Sequence, residues 1–381
     1  MTVLVLMPLA TTRGGAERLL ERLLRQRPTT GLRWVVVFLE DGPLRDTLEQ
    51  HGVETHVVDA GRLRELRRYA RAVRQIAGLV QETGADLLLS WMPKAHVYGA
   101  VAAAWTGCPA VWYQHGAPSL GWMDRLLTLL PARAVLACSH HVARLQAALW
   151  PSRDTRVVHP CVDLDRFDPD ALPPPDEVRR RLGLPTEGPL VGIVGRLQHW
   201  KGTHTFVDAL PHVLEAHPDT HGVVVGGRHA LEPGYAARVK RRIAERGLTD
   251  RALMVGFQSN VPMWMQAMDV VVHASNAEPF GMVVVEAMAL GKPVVAGARG
   301  GPQEIVVEGT TGLTAPFEAP KALARQIGTL LANPSAARRM GQAARARARA
   351  FSATTFAERL AATLRALGPA PHPQPSSPTT P

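Results

Sequence analysis

The sequence predicts an α/β protein built as two similar domains, and three observations carry that reading. Short β-branched runs alternate with helix-period segments through the first half, the pattern of a mostly parallel sheet covered on both faces. The alternation halts at DPDALPPPDEVRR, where three consecutive prolines and several acidic residues disfavour regular structure, and then restarts. At 381 residues the chain is also too long for one ordinary core and suits two domains of average size.

In the first half, residues 3–7, 34–39, 55–58, 87–91, 111–115 and 135–138 are the candidate strands. Amphipathic stretches at 16–25, 63–80 and 142–149 lie between them. After the break the strands are 190–194, 223–225, 253–256, 270–274 and 293–296, with helices at 235–245, 262–268 and 280–290. Two such halves place a ligand cleft between them, at the carboxyl ends of both sets of strands. Beyond residue 315 the chain turns helical and arginine-rich, at 319–331, 336–350 and 353–367. The expected boundaries are an N-terminal domain over 1–170, a proline-rich hinge over 171–188 and a C-terminal domain over 189–350. A last helix over 351–368 is expected to pack back toward the first domain, and PAPHPQPSSPTTP, residues 369–381, to form a disordered tail.

Composition narrows the class. Hydrophobic residues make up 46% and charged residues 20%, so both halves can bury a core. No apolar run approaches the roughly 18 residues of a membrane-spanning helix. MTVLVLMPLA lacks a basic region ahead of its apolar stretch and reads as a first buried strand rather than a signal peptide. Cys108, Cys138 and Cys161 are odd in number and widely spaced, which argues against a disulfide framework or zinc site and for a reducing, cytoplasmic compartment. The net charge of +10 and pI near 10.2 favour acidic partners, whether nucleic acid, anionic lipid or phosphorylated substrate. The arginines are spread through helices without aromatic interleaving, so nucleic acid is not the expected partner.

Three segments carry candidate chemistry. In TTRGGAERLL, after the first strand, Gly14 and Gly15 let the backbone approach a ligand, and the following helix points its first amides at an anion such as a diphosphate. A tight strand–helix turn is the plainer reading. In VGIVGRLQHWKG, Arg196 and Lys201 follow a strand end, where two cations can neutralise a departing diphosphate or stand as solvated loop charges. In HASNAEPFGMVVVEAMALGKPVVAG, Glu278 and Glu286 are separated by seven residues with Gly281 between them. Glu278 falls in the loop and Glu286 in the early turns of the helix, where it could accept two hydrogen bonds from a ribose diol or simply complement the dipole. The amides of Phe280, Gly281, Met282 and Val283 are the free donors of that helix start.

This last segment, followed by GGPQEIVVEGTTGL, resembles the retaining glycosyltransferase family 4. The likeness extends over nearly the whole chain, through GGAERLL, YQHGAP, ACSHHV, HPCVDLDRF, VGRLQHWKG, VVVGGR, MVGF and DVVVHAS in that order. It implies two Rossmann-like domains (the GT-B fold) with an interdomain cleft, and a nucleoside-diphosphate sugar, UDP- or GDP-linked, as donor substrate with neither cofactor nor metal. On the matching positions, Arg196 and Lys201 would bind the donor diphosphate and Glu286 the ribose. Glu278 would contact the transferred sugar, with the amides of Phe280, Gly281, Met282 and Val283 completing the cradle. Gly14 and Gly15 would line the cleft from the other domain, residues 255–261 would pass near the base, and His115 in YQHGAP would lie near the sugar. The acceptor implied is a hydroxyl of a glycan, a lipid-linked glycan or a small molecule, in cell-envelope or polysaccharide biosynthesis.

Other readings stay in play at this level. A nucleotide-sugar epimerase, an inverting enzyme of the same architecture, or a sugar-nucleotide-binding protein without activity would share the fold. Asp163 and Asp165 form a D-x-D triplet, yet nothing nearby in sequence supplies further ligands. In RLRELRRYARAVR, Leu63, Leu66, Ala70, Val73 and Ala77 form one helical face and Arg64, Arg67, Arg68, Arg71 and Arg74 another. That second face is either the solvated side of a core helix or a patch that meets anionic membrane at its inner surface.

Overall fold

The computed structural model describes residues 1–11 and 14–369. Thr12, Arg13 and residues 370–381, nearly all of the expected tail, lie outside the described residues. The chain forms two compact units: one of Met1–Ala137, Leu145–Val158 and the chain from Ala357, the other of Cys138–Arg144 and His159–Phe356.

In the first unit seven strands pair in parallel: β1 (Thr2–Met7), β2 (Arg33–Phe38), β3 (Glu54–Val57), β4 (Leu87–Ser90), β5 (Ala110–Gln114), β6 (Ala134–Ala137) and β7 (Thr155–Val157). Their order is β3-β2-β1-β4-β5-β6-β7. Runs such as VLVLM are buried throughout, as strands covered on both faces must be. The second unit holds β8 (Leu190–Val194), β9 (His221–Val225), β10 (Ala252–Gly256), β11 (Val270–His273), β12 (Val294–Gly297) and β13 (Leu313–Ala315), all parallel. Their order, β10-β9-β8-β11-β12-β13, repeats the same scheme. Each unit is thus a Rossmann-like domain whose strand order reverses once, at β1/β4 in the first and β8/β11 in the second.

Several elements depart from the sequence reading. β7 and β13 are three residues each, too brief to show a period. The helix Pro93–Thr106 buries Ala95, His96, Tyr98, Gly99, Ala100, Ala102 and Ala103, so it has no polar stripe to reveal it. The helix Thr203–Ala216 is similarly buried and has Pro211 inside it. The proline-rich stretch is not irregular throughout: Pro175–Leu182 is a helix, with Pro175 at its first turn and Gly183 closing it at φ 64°. A proline there loses nothing, because its missing N–H would have had no intrahelical acceptor.

The arginine-rich helix runs Leu66–Glu82, so Leu63 and Arg64 precede it. Its buried face is Ala72, Val73, Ile76, Ala77 and Val80, packed with Leu4, Leu6, Leu88 and Tyr98. Leu63, Leu66 and Ala70, expected on the core side, are exposed, and contact with the core begins only at the half-buried Tyr69. The last helix, Ala353–Leu367, buries Phe356, Ala357, Leu360, Ala361, Leu364 and Leu367, and Arg365 donates to the Thr30 carbonyl.

Arg179, on the helix Pro175–Leu182, is 5% exposed and fixes that helix to the second sheet. Its Nε donates to the Ala267 carbonyl at 2.9 Å, Nη1 to Gly188 at 3.0 Å and Nη2 to Asp269 Oδ2 at 2.6 Å, while the Leu190 amide donates to the same Asp269 oxygen at 2.7 Å. Arg179→Met should therefore destabilise the second unit by about 2 kcal/mol, since the buried Ala267 carbonyl and the Asp269 carboxylate lose their donor. Urea unfolding checks this, and a change below about 0.5 kcal/mol, the usual range of an indifferent surface site, would contradict it.

Candidate active site

The loops after β8 and β11 meet where the second sheet reverses its order. After Val194 the chain passes Gly195 and Arg196, makes a 3₁₀ turn at His199–Lys201, and enters the helix Thr203–Ala216 through Gly202 at φ 72°. A side chain at Gly202 would overlap the Ala274 carbonyl, so only glycine lets this turn lie against the end of β11. The Asn276 amide then donates to the Trp200 carbonyl at 2.8 Å, joining the two loops.

This geometry places Lys201 beside Glu278. Lys201 Nζ donates to Glu278 Oε2 at 2.6 Å and lies 4.1 Å from the centre of the Trp200 ring. His273 Nε2 is 3.2 Å from the same carboxylate oxygen. Burial alone would raise the Glu278 pKa, but the Lys201 ammonium and the His273 ring more than offset it and bring it down to about 2. Glu278 is therefore a carboxylate at neutral pH, able to accept hydrogen bonds and unable to act as a general acid.

The backbone around Glu278 is strained and tightly held. Ala277 sits at φ 46°, the left-handed region that costs a non-glycine residue energy. Gly301 donates to the Glu278 carbonyl at 2.8 Å, and a side chain at Gly300, φ 84°, would overlap the Ala277–Glu278 backbone. Three residues on, Gly281 at φ 113° opens the helix Met282–Ala289. The Met282 and Val283 amides are the first of that helix and lack acceptors within it. Phe280 lies ahead of the helix, its ring centre 5.7 Å from both His159 and Phe351. Glu286 is in the second turn, partly exposed.

Arg196 follows the same strand as Lys201 but is exposed, with Nη1 3.3 Å from His229 Nε2. An open pocket of about 880 Å³ lies at the ends of β9 and β10, lined by Leu197, Gly226, Gly227, Lys240, Gly256 and Phe257 among others. It includes part of the 255–261 stretch assigned above to the base.

In the first unit the equivalent reversal follows β1 and β4. Gly14 caps the helix Gly15–Arg25, and a side chain at Gly14 would meet the Glu17 carboxylate, whereas one at Gly15 would meet nothing. Glu17 is buried and accepts from the Thr11 hydroxyl at 2.9 Å, so the helix start already has an anion of its own. Trp91, just past β4, donates from Nε1 to the Ala16 carbonyl at 2.9 Å. His115, just past β5, packs on Trp91 and Tyr113 with ring centres 5.1 and 4.3 Å away. Burial pushes its pKa down to about 3, so its imidazole is neutral.

Sequence reasoning missed His273, Glu17 and the Gly300–Gly301 support; only the glycine pair left a signal, in GGPQE. Glu304 of that segment accepts the His140 and His141 amides at 2.8 Å each and faces His159 Nε2 at 3.0 Å. Asp163 Oδ1 accepts the Arg166 amide at 3.1 Å, a turn contact. Neither Asp163 nor Asp165 belongs to the clusters of metal-ligating side chains found among the described residues.

Two family models match in tandem: Glycosyltransferase Family 4 over residues 13–166 and Glycosyl transferases group 1 over 175–347. The chain is 36% identical over 197 residues to the lipopolysaccharide core biosynthesis mannosyltransferase LpsB of Rhizobium meliloti, covering 51% of this chain and 53% of that protein. It is 36% identical over 203 residues to a D-inositol 3-phosphate glycosyltransferase of Xylanimonas cellulosilytica, covering 51% of this chain and 47% of that one. The chain thus spans about half the length of these curated relatives. Among solved structures, Anabaena Alr3699/HepE in complex with UDP superposes with a TM-score of 0.83 at 29% identity, over 96% of this chain and all of that one. Sucrose-phosphate synthase from Thermosynechococcus elongatus, at 23% identity and TM-score 0.79 over 96% of this chain and 99% of that one, shares the fold. With both domain models in tandem on two Rossmann-like sheets, the chain belongs to the family-4-like glycosyltransferases of the GT-B fold.

Proposed function

We propose that the protein moves a hexose-type sugar from a UDP- or GDP-linked donor to a hydroxyl acceptor, with retention at the anomeric carbon and without a metal at the diphosphate. The observation that carries this reading is the Lys201–Glu278 contact, a buried charged pair at the reversal point of the second sheet, where α/β folds bind ligands. The UDP bound to Anabaena Alr3699/HepE supports a nucleotide donor. The lipopolysaccharide-core and D-inositol 3-phosphate names of the relatives support an envelope glycan or a small-molecule hydroxyl as acceptor.

In the reaction, the bond from the anomeric carbon to the donor phosphate oxygen breaks as the acceptor oxygen bonds the same face. As that bond breaks its electron pair stays on the phosphate oxygen, where negative charge builds up in the transition state until the acceptor proton passes to the same oxygen and the nucleoside diphosphate leaves. Arg196, Lys201 and the amides at Phe280, Gly281, Met282 and Val283 stabilise that charge. Glu278, held ionised, accepts from sugar hydroxyls and orients them. Glu286 holds the ribose. In the first unit, neutral His115 hydrogen-bonds to the sugar and Gly14 and Gly15 leave room for it. Because Lys201 also holds Glu278, it acts twice: on the phosphate directly and on the sugar through the carboxylate.

The protein works at the cytoplasmic face of an anionic membrane in this reading. Among the described residues no helix is long and apolar enough to cross a membrane. The start of the arginine-rich helix nonetheless presents Leu66, 76% exposed, beside Arg64, Arg67, Arg68 and Arg71. The helix Trp122–Leu129 of the same unit exposes Trp122, Met123, Leu126 and Leu129. Apolar side chains among arginines suit a headgroup interface.

Arg196→Ala and Lys201→Ala should each lower kcat by about 10²–10³, the usual effect of one lost preorganised donor. Glu286→Gln should mainly raise the donor KM, because ribose is held equally in ground and transition states. Glu278→Gln should lower kcat more than it weakens nucleoside diphosphate binding. Steady-state kinetics beside nucleotide affinity checks all four, and near-wild-type turnover in both cation variants would displace the active site. EDTA should leave transfer intact, whereas strict dependence on manganese or magnesium would overturn the metal-free reading.

The pH dependence follows from Glu278. Its carboxyl is lowered from 4.5 to about 2, so the stability it contributes is complete above pH 4.5 and is lost as pH falls toward 2. Lys201→Met leaves burial as the largest influence, so the carboxyl is no longer held as far below its ordinary value. The part of the stability lost on acidification that comes from Glu278 should then shrink or vanish, at the expense of stability near neutral pH. Thermal unfolding from pH 3 to 7 measures this, and unchanged acid sensitivity would contradict the coupling.

Replacing Arg64, Arg67, Arg68 and Arg71 with serine should abolish pelleting with anionic liposomes at low salt and spare donor binding. Wild-type protein that ignores such liposomes would leave these arginines as a solvated face.

A further inference from the structure

A second cluster of side chains lies on the other side of the turn that carries Lys201. His199 opens that turn, and His204 is the second residue of the helix Thr203–Ala216, so the left-handed Gly202 between them folds one ring over the other. The two imidazoles stack with centres 4.4 Å apart at 20°. Glu318 reaches them from the loop between β13 and the helix Pro320–Ala332, with Oε1 3.6 Å from His199 Nε2 and 3.5 Å from His204 Nε2. All three ligand atoms lie within 4.8 Å of one another.

Two further observations point to a ligand there. His204 is only 8% exposed, and its Nε2 is buried without a hydrogen-bond partner while facing Glu318. Buried polar atoms in that condition call for an explanation. Its other nitrogen, Nδ1, lies 2.7 Å from the Tyr235 hydroxyl. With the proton on Nδ1 and donated to Tyr235, the Nε2 lone pair faces the carboxylate, which is the outer-shell arrangement that orients metal-ligating histidines. Glu318 itself sits at φ 54°, a left-handed backbone that a non-glycine residue adopts at a cost, typical of ligand clamps.

We propose that His199, His204 and Glu318 bind a divalent transition cation of the zinc type. Two imidazoles and a carboxylate suit zinc, cobalt or nickel rather than magnesium or calcium, which prefer oxygen alone. Bonds of about 2.1 Å in tetrahedral geometry separate ligand atoms by about 3.4 Å, close to both histidine–carboxylate distances. Only the two imidazole nitrogens must converge, and the exposed His199 ring is able to turn toward the buried His204. His199 and Glu318 are half exposed, with side-chain exposures of 56% and 52%, so one side is open to solvent and to water ligands. The cation would fasten the Lys201 turn to the Glu318 loop without taking part in transfer. The proposal does not depend on the reaction assigned above.

The test uses the full chain, stripped with chelator and titrated with zinc alone, then with cobalt(II) and magnesium alone. Fifteen histidines make some loose zinc uptake certain, so the readout is the difference between wild type and two variants. His199→Ala and Glu318→Gln change exposed positions, and circular dichroism without metal verifies that both stay folded. Wild type should take up one more zinc per chain than either variant, bind it at least about tenfold more tightly, and show a zinc-dependent rise in Tm that both lose. Its cobalt(II) form should show visible ligand-field bands of low-coordinate nitrogen–oxygen ligation, absent in the variants. Equal uptake and equal Tm shifts in all three proteins would reduce the cluster to a histidine–carboxylate ion pair and overturn the proposal. A magnesium shift matching that of zinc would overturn the assigned cation class.

Discussion

The second sheet reverses its strand order between β8 and β11, and the arrangement of the site follows from that reversal. Chain leaving β8 turns one way, to β9, and chain leaving β11 the other, to β12, so the ends of β8 and β11 stand open to each other. Two loops must share that space, and they do so at backbone distance. Gly202 lies against Ala274, and Gly300 against Ala277 and Glu278. Larger residues at either position would separate the loops and with them Lys201 from Glu278, residues far apart in sequence and 2.6 Å apart in the fold.

The pair so formed is costly to build and costly to break. Neither partner is well hydrated, with side-chain exposures of 16% and 13%, and removal of one partner from such a pair typically costs about 3–5 kcal/mol. What it secures is a fixed protonation state: Lys201 and His273 hold Glu278 as an anion in a place where burial favours the acid. His115 in the first unit shows the opposite outcome, since burial keeps its ring neutral. Glu278 is thus held charged and His115 neutral.

Much of this was legible in the sequence where a single physical rule dominates. Strands buried on both faces must be apolar throughout, and the runs at β1, β8 and β11 stand out for that reason. Lys201, Glu278 and Gly281 were visible as charged or glycine residues at strand ends. Elements whose position depends on what packs against them were not visible. The helix Pro93–Thr106 is buried on nearly every side and shows no period. On the arginine-rich helix the pattern itself misled: Leu63 and Leu66 continue the apolar spacing, but the core they would meet does not extend that far. The pairing of Lys201 with Glu278 was also invisible, because sheet topology rather than local spacing creates it. His204 gave no hint of its buried nitrogen for the same reason, since Glu318 arrives from beyond β13.

The last helix has a bearing on how the chain is made. Leu360, Leu364 and Leu367 are buried in a unit whose other residues end at Val158, and Arg365 reaches Thr30 near the start of the chain. A ribosome delivers these side chains about 200 residues after the remainder of their unit, long enough for the intervening sheet to emerge first. During synthesis the earlier unit therefore waits with an apolar face uncovered, while the later one already holds all of its own strands. Order of translation and order of completion are inverted, and the interval between them is when nascent chains depend most on chaperones.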